Sequence, residues 1–293
     1  MKIVSKEVLA DCAGIRIVKL TLNAPEISFK ARAGQFVVVM PGEKGERIPL
    51  TIVEADNKAE TITLIFQEAG LTTKILGALG AGDNLYALAG PLGHATEIKA
   101  ACGFGYRKPN HGLAACGRVI LVGGGVGIAE IYPVAKSLKE AGNNITVIMG
   151  AKTKELLILE DKLKSIADKI YVLTDDGSYG QKGFVTSILE DLLKQGRYDL
   201  VYSVGPIPMM RKVAQISQSL AIKTIVSLNA LMVDATGMCG CCRVTVAGQV
   251  KFSCVDGPEF EAKDIDWDEL EKRNCVYVER EKHICRLNNL ENR

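Results

Sequence analysis

The spacing of hydrophobic positions changes twice along the chain. Through the first ninety or so residues, apolar side chains come in short β-rich runs: Val18 to Leu22, Gln35 to Met40, Arg47 to Val53, Thr61 to Gln67 and Asn84 to Ala89. Turn residues separate these runs at Pro25, Ala33-Gly34, Pro41-Gly42 and Asp56-Asn57, and Gly90-Pro91-Leu92-Gly93 closes the last. Such residues break a strand because they fix φ, free it or bond to their own backbone. Thr72 to Leu79 predicts one short helix. Several short strands at this spacing predict a small antiparallel β-barrel over residues 1–94. Residues 95–117 show no clear period and read as a linker or insertion.

From Arg118 to about residue 231, apolar strands alternate with helical stretches. Val119 to Val122 is a strand, followed by a helix to Ala141 and a stop at Gly142-Asn143-Asn144. The next strand is Ile145 to Met149, then a helix over Leu156 to Ile166 and a strand over Ile170 to Leu173. Helices over Val185 to Gln195 and Pro208 to Leu220 alternate with strands over Leu200 to Val204 and Thr224 to Leu228. Strand runs buried on both faces and joined by helices predict a parallel sheet with crossover helices. Residues 232–293 differ again: a stretch dense in Cys and Gly, a hairpin turning at Ala247-Gly248-Gln249, and a charged, partly helical end. The expected class is an α+β multidomain chain of barrel, central α/β domain and small C-terminal module.

Composition narrows the function classes. The 293 residues carry 36 Lys and Arg against 34 Asp and Glu, so a general nucleic-acid-binding role is not expected. Apolar residues make up 47%, which excludes disorder, and no apolar run approaches the ~20 residues of a membrane span. The N-terminus is charged at every third or fourth position and lacks a signal-peptide core, so a cytoplasmic location is expected. Of nine cysteines, four lie between Cys239 and Cys254, a clustering that suits a metal site better than a disulfide framework.

That cluster carries the strongest chemical signal. Plant-type [2Fe–2S] proteins space their ligands C-x4-C-x2-C with a distant fourth Cys. Here the spacing selects Cys239 and Cys242 and puts Asp234 in the first slot. In the hairpin, Gly248 lies midway between Cys242 and Cys254, so antiparallel pairing brings those two side by side. Gly237 and Gly240 let the loop fold tightly with its N–H groups toward the cluster. Cys241 is left over, pointing away from its neighbour. Two alternatives stay open: a zinc site, although only one C-x2-C pair is present, and Cys241 as a ligand in place of Asp234.

Gly123-Gly124-Gly125-Val126-Gly127 falls between a strand and a helix, where a glycine turn and free helix N–H groups can receive a pyrophosphate. The register is not G-x-G-x-x-G, because Ile128 holds the last slot, and Gly150-Ala151-Lys152 follows the second strand without the usual acid. Gly205, Pro206, Met209 and Met210 follow a later strand of the same sheet. Arg47, Pro49, Leu50 and Thr51 on a barrel strand, with Gly70, Thr72 and Thr73 opening the short helix, offer a cation, hydroxyls and free N–H groups for a diphosphate. The three histidines form no catalytic constellation, and His94, Cys102, His111 and Cys116 match no known metal spacing.

These motifs, in this order, resemble the ferredoxin–NADP reductase superfamily and, within it, the iron–sulfur flavoprotein branch. That branch holds the electron-transfer subunits of dihydroorotate dehydrogenases and the small subunits of NADH-dependent reduced ferredoxin:NADP oxidoreductases. Gly-Gly-Gly-Val-Gly-Ile-Ala, Thr174 to Gly180, Met232-Val233-Asp234 and Cys254 to Pro258 resemble the latter most. Asp234 argues the same way, since the dihydroorotate branch is expected to carry Cys in that slot. The resemblance implies FAD on the barrel, near Arg47, Pro49, Leu50, Thr51, Phe66, Gly70, Thr72 and Thr73. It implies NAD(H) or NADP(H) at Gly123, Gly124, Gly125, Gly127, Asp175, Gly205, Pro206, Met209 and Met210. It also implies a larger iron–sulfur flavoprotein as partner, with ferredoxin reached through the complex. The remaining rivals are a dihydroorotate dehydrogenase subunit and a nucleotide-binding zinc protein.

Overall fold

The β-branched runs pair as their alternation requires. The computed structural model describes residues 1–43, 45–99 and 117–287, without the side chains of 285–287. Cys102, His111, Cys116, most of the predicted linker and the side chain of Cys285 thus lie outside the described residues. Two compact units are present, one of residues 1–94, 229–258 and 265–293, the other of 95–228 and 259–264.

The first unit begins with β1 (Ile3–Cys12), β2 (Ile15–Asn23), α1 (Pro25–Lys30), β3 (Phe36–Met40), β4 (Ile48–Asp56), β5 (Thr61–Gln67), α2 (Leu71–Ala78) and β6 (Ala87–Leu92). The strands form one antiparallel sheet in the order β1-β2-β5-β4-β3-β6. Residues 82–85 close it into a barrel: Ile3 N–H donates to Asp83 O, Gly82 N–H to Ile3 O and Leu85 N–H to Met1 O. Val18, Leu20 and Leu22 alternate inward and meet Val37, Val39, Ile62, Leu64 and Phe66. Each such side chain contributes roughly 1.5–3 kcal/mol by leaving water. β1 escapes the apolar pattern because Ile3 and Ala10 are its buried residues and most of its other side chains face solvent. Pro25 marks a helix start, not a turn, because its fixed φ suits the first helical position.

The second unit holds β7 (Arg118–Gly124), α3 (Gly127–Glu140), β8 (Asn144–Ala151), α4 (Glu160–Ile166), β9 (Lys169–Thr174), β10 (Gln181–Lys182), α5 (Val185–Gln195), β11 (Leu200–Val204), α6 (Ile207–Ser219) and β12 (Thr224–Ser227). The helix expected over 156–166 is split: a single 3-10 turn, Lys154–Leu156, precedes α4, and Leu159 between them adopts φ +56°. Val119 to Val122 are fully buried. Further on come β13 (Arg243–Val246) and β14 (Gln249–Phe252), the expected hairpin, in the first unit. β15 (Glu259–Glu261) then joins the second unit's sheet, and α7 (Trp267–Asn274) and α8 (Val278–Leu287) return to the first. The sheet order is β10-β9-β8-β7-β11-β12-β15, parallel except for β15, which runs antiparallel to β12. The parallel sheet therefore gains an antiparallel edge that three residues could not announce by periodicity. Among the described residues no helix is long and apolar enough to cross a membrane.

β15 brings a carboxylate inside. Glu259 Oε1 accepts from the buried Tyr202 hydroxyl at 2.7 Å and from Thr96 Oγ1 at 2.5 Å. Burial holds its carboxyl above the ordinary range, against the pull of those two donors. As pH rises past the ordinary carboxylate value, the unfolded chain releases a proton that the folded chain retains, so folded stability falls over that window. Glu259→Gln keeps an oxygen acceptor and removes the titration. In urea unfolding, the variant should gain stability relative to the parent between pH 4.5 and 8; a difference independent of pH would contradict the assignment.

Candidate nucleotide, flavin and cluster sites

In the second unit, β7 lies between β8 and β11. The chain leaves β7 for β8 and later returns on the other side to β11, so the two following loops part at this point. Open α/β sheets bind ligands at such a divergence, beyond the carboxyl ends of the strands. Both glycine-bearing motifs fall there. Gly125 turns with φ +58°, and Gly127 is the first residue of α3. A Cβ on Gly127 would lie 2.5 Å from Val204 O, so the start of α3 rests against the end of β11. A Cβ on Gly124 would lie 2.5 Å from Met209 Sδ, and one on Gly205 2.7 Å from Met209 Cε. Met209 thus packs across both turns and makes one floor of two separate motifs. Pro206 is the N-cap of α6. Met210 is fully buried, which puts its side chain in the core. Asp175 is exposed after β9, its N–H donating to Ala151 O at 3.1 Å. Beside it, the N–H and hydroxyl of Ser178 donate to Asp176 Oδ1 at 2.9 and 2.7 Å and hold that carboxyl below its usual range.

In the first unit, Pro49, Leu50 and Thr51 lie on β4 opposite Val38, Val37 and Phe36. β5 pairs with β4 from Ile52 onward, so Pro49 sits on a stretch with a single neighbour, where a missing N–H is tolerated. The α2 start is organised from within. Thr73 Oγ1 accepts from Ala69 and Gly70 N–H, each at 2.9 Å, and Thr72 Oγ1 donates to Glu46 at 3.1 Å. The two hydroxyls and the N–H groups of Ala69 and Gly70 thus already have protein partners. Phe66 is 2% exposed and sits in the barrel core. Arg47 reaches out, 56% of its side chain exposed, with Nη1 4.0 Å from Asp234 Oδ1. A barrel residue and the cysteine loop therefore meet.

The loop itself is built on left-handed glycines, Gly237 at φ +83° and Gly240 at φ +69°. Cys242 and Cys254 are buried with their sulfurs 3.2 Å apart, at the open end of the β13–β14 hairpin. Burial, with the Cys242 thiol second, pushes the Cys254 thiol up to about 12, partly offset by the Gly237 N–H. Cys239 is exposed; the Cys241 N–H, more than any other group, lowers its thiol, and the Asp234 N–H assists. Asp234 Oδ2 accepts from Thr236 Oγ1 at 2.7 Å. Among the described residues no three His, Cys, Asp or Glu side chains converge on a point that would hold a single metal ion. The side chains fall into two groups: Cys242 with Cys254, and Cys239 beside the Cys241 thiol and the Asp234 N–H. Two groups, each able to give an iron two ligands beside the bridging sulfides, suit a two-iron rhomb better than one tetrahedral ion. Backbone N–H groups aimed at sulfur are also what such a cluster requires.

Residues 229–266 match the iron–sulfur cluster binding domain of dihydroorotate dehydrogenase B, and residues 121–215 match the oxidoreductase NAD-binding domain. A Thermotoga maritima protein, a homologue of the dihydroorotate dehydrogenase B (NAD(+)) electron transfer subunit, is 46% identical over 89% of this chain and 87% of its own. The Geobacillus thermodenitrificans dihydroorotate dehydrogenase B electron transfer subunit is 32% identical over 90% and 97%. A solved structure of an NADH-dependent reduced ferredoxin-NADP oxidoreductase, described in work on flavin-based electron bifurcation, superposes with TM-score 0.85. It is 44% identical and covers 96% of this chain and 95% of that one. Fold and relatives define an oxidoreductase of the ferredoxin–NADP reductase type with an added iron–sulfur module. The chain belongs to the family of dihydroorotate dehydrogenase B electron transfer subunits and their homologues. It transfers electrons among a pyridine nucleotide, FAD and an iron–sulfur cluster.

The exposures order the thiols. In the cluster-free chain, a brief pulse of iodoacetamide followed by peptide mass analysis should label Cys239 well before Cys242 or Cys254. Equal labelling of all three would contradict the buried pair.

Proposed function

We propose that this chain is the NADH-oxidising small subunit of a complex that exchanges electrons with ferredoxin and NADP, as its structural relative's description suggests for that protein. Its partner would be a larger iron–sulfur flavoprotein, with ferredoxin reached through the complex. Bound FAD would supply the exchange between the two-electron chemistry of a nicotinamide and single electrons, and a [2Fe–2S] cluster would supply single-electron transfer. This chain's residues supply orientation and charge. Arg47 would neutralise a flavin diphosphate, with the backbone of Pro49, Leu50, Thr51 and Gly70 to Thr73 beside it. The Gly123–Gly127 turn and the start of α3 would receive the nucleotide pyrophosphate, over the floor that Met209 makes. Asp234 and Cys239 would hold one iron, Cys242 and Cys254 the other. The observation that carries this reading is the pairing of Cys242 with Cys254 beside a loop whose first ligand slot is Asp234. That aspartate favours the ferredoxin:NADP reading over the dihydroorotate one.

A carboxylate is a harder, less covalent donor than a thiolate, so the iron it binds should be electronically distinct. Asp234→Cys should therefore retain a cluster with an altered visible and EPR spectrum, while Asp234→Ala should lose most of its iron. A cluster lost in Cys241→Ser and intact in Asp234→Ala would transfer the ligand role to Cys241. The acidic pair Asp175 and Asp176 should repel a 2′-phosphate more strongly than Lys152 attracts it. Steady-state diaphorase assays should give a higher kcat/KM for NADH than for NADPH; the reverse order would contradict this assignment.

A further inference from the structure

The matched iron–sulfur domain ends at residue 266, yet the cysteine loop is held by the helix that follows. α7 starts on an Asp266 cap, whose Oδ1 accepts the Glu269 N–H at 2.9 Å, and it buries Leu270. Its last turn reaches the loop at two places. Asn274 Oδ1 accepts the Leu231 N–H at 3.2 Å and Nδ2 donates to Asn229 O at 3.0 Å, which fixes the entry to the loop. Arg273 Nη2 donates to Cys241 O at 3.1 Å and more distantly to Gly240 O at 3.4 Å, which fixes its far end. Those two carbonyls lie between Cys239 and Cys242.

A trans peptide sets its C=O and N–H on opposite sides. The carbonyls of Gly240 and Cys241 face Arg273, so the N–H groups of Cys241 and Cys242 face away from it. The Gly240–Cys241 peptide therefore points its N–H away from Arg273 and into the turn between Cys239 and Cys242. A guanidinium thus sits at one end of a peptide whose other end faces the loop that carries the proposed ligand sulfurs. Its charge polarises that peptide and makes its N–H a stronger donor to a sulfur there. Reduction of a cluster adds one negative charge, so a cation and sulfur-directed N–H groups favour the reduced form more than the oxidised one.

We infer that Arg273 is a positioning residue for the cluster loop that also raises the reduction potential of the cluster. This rests on the [2Fe–2S] reading above. The test is a redox titration of the purified holoprotein, followed by EPR, with iron content measured in parallel. Arg273→Gln should shift the midpoint to lower potential, and Arg273→Lys, which keeps the charge, should stay closer to the parent. Arg273→His carries a charge that pH controls, so its midpoint should rise more steeply than the parent's as pH falls from 8 to 5.5. An iron-loaded Arg273→Gln with the parent's midpoint would overturn the inference, as would Arg273→Lys falling as far as Arg273→Gln. Should Arg273→Gln lose its iron, Arg273→His decides: the added pH dependence supports the role, and a midpoint that tracks the parent's at every pH overturns it. A parent chain that holds no iron–sulfur cluster would instead overturn the reading on which the inference rests.

Discussion

The C-terminal module depends on how the peptide groups between Gly237 and Cys242 are turned. A sulfur that carries negative charge in a partly buried loop needs donors, and the nearest are backbone N–H groups. Aiming several N–H groups inward from so short a segment requires left-handed backbone, which Gly237 and Gly240 provide. It also requires partners for the carbonyls that turn outward, and the end of α7 provides those. The hairpin β13–β14 then brings Cys254 from twelve residues away to within 3.2 Å of Cys242. Sulfur placement is therefore a product of backbone conformation first and of side-chain identity second.

A comparable economy governs the nucleotide side. Two glycine motifs some eighty residues apart become one surface because β7 and β11 are neighbours in the sheet. Their glycines are needed for close approach as much as for flexibility: Gly124, Gly127 and Gly205 each lie where a methyl group would strike Met209 or Val204. A substitution there would disturb packing and ligand surface together, since the same atoms serve both.

These relations show what could be read from the chain and what could not. Alternating runs such as Val18-Leu20-Leu22, the strand-turn-helix around Gly123 and the cysteine spacing are local, and each was legible without a fold. Contacts made by distant segments were not. β1 carries no apolar period because most of its side chains face water, yet its first residues close the barrel. β15 is three residues long and owes its place to pairing with β12. Met209 could be listed with a motif, but its position over two turns follows from sheet order. Arg273 has no sequence signature, because nothing local links a helix end to carbonyls some thirty residues earlier. Phe66 and Met210 show the opposite limit: a residue type that suits a cofactor surface also suits a core, and burial assigns both side chains to the core.

The proposed reading places a two-iron cluster in the loop from Asp234 to Cys242, with Cys254, beside a flavin-binding barrel. The most direct measurement is the cofactor content of the anaerobically purified chain: iron, acid-labile sulfide, zinc and extracted flavin per polypeptide, with an EPR spectrum after dithionite reduction. Two iron, two sulfide and one FAD per chain are expected, with the signal of a single reduced [2Fe–2S] centre. A colourless chain with stoichiometric zinc and no flavin would contradict that reading.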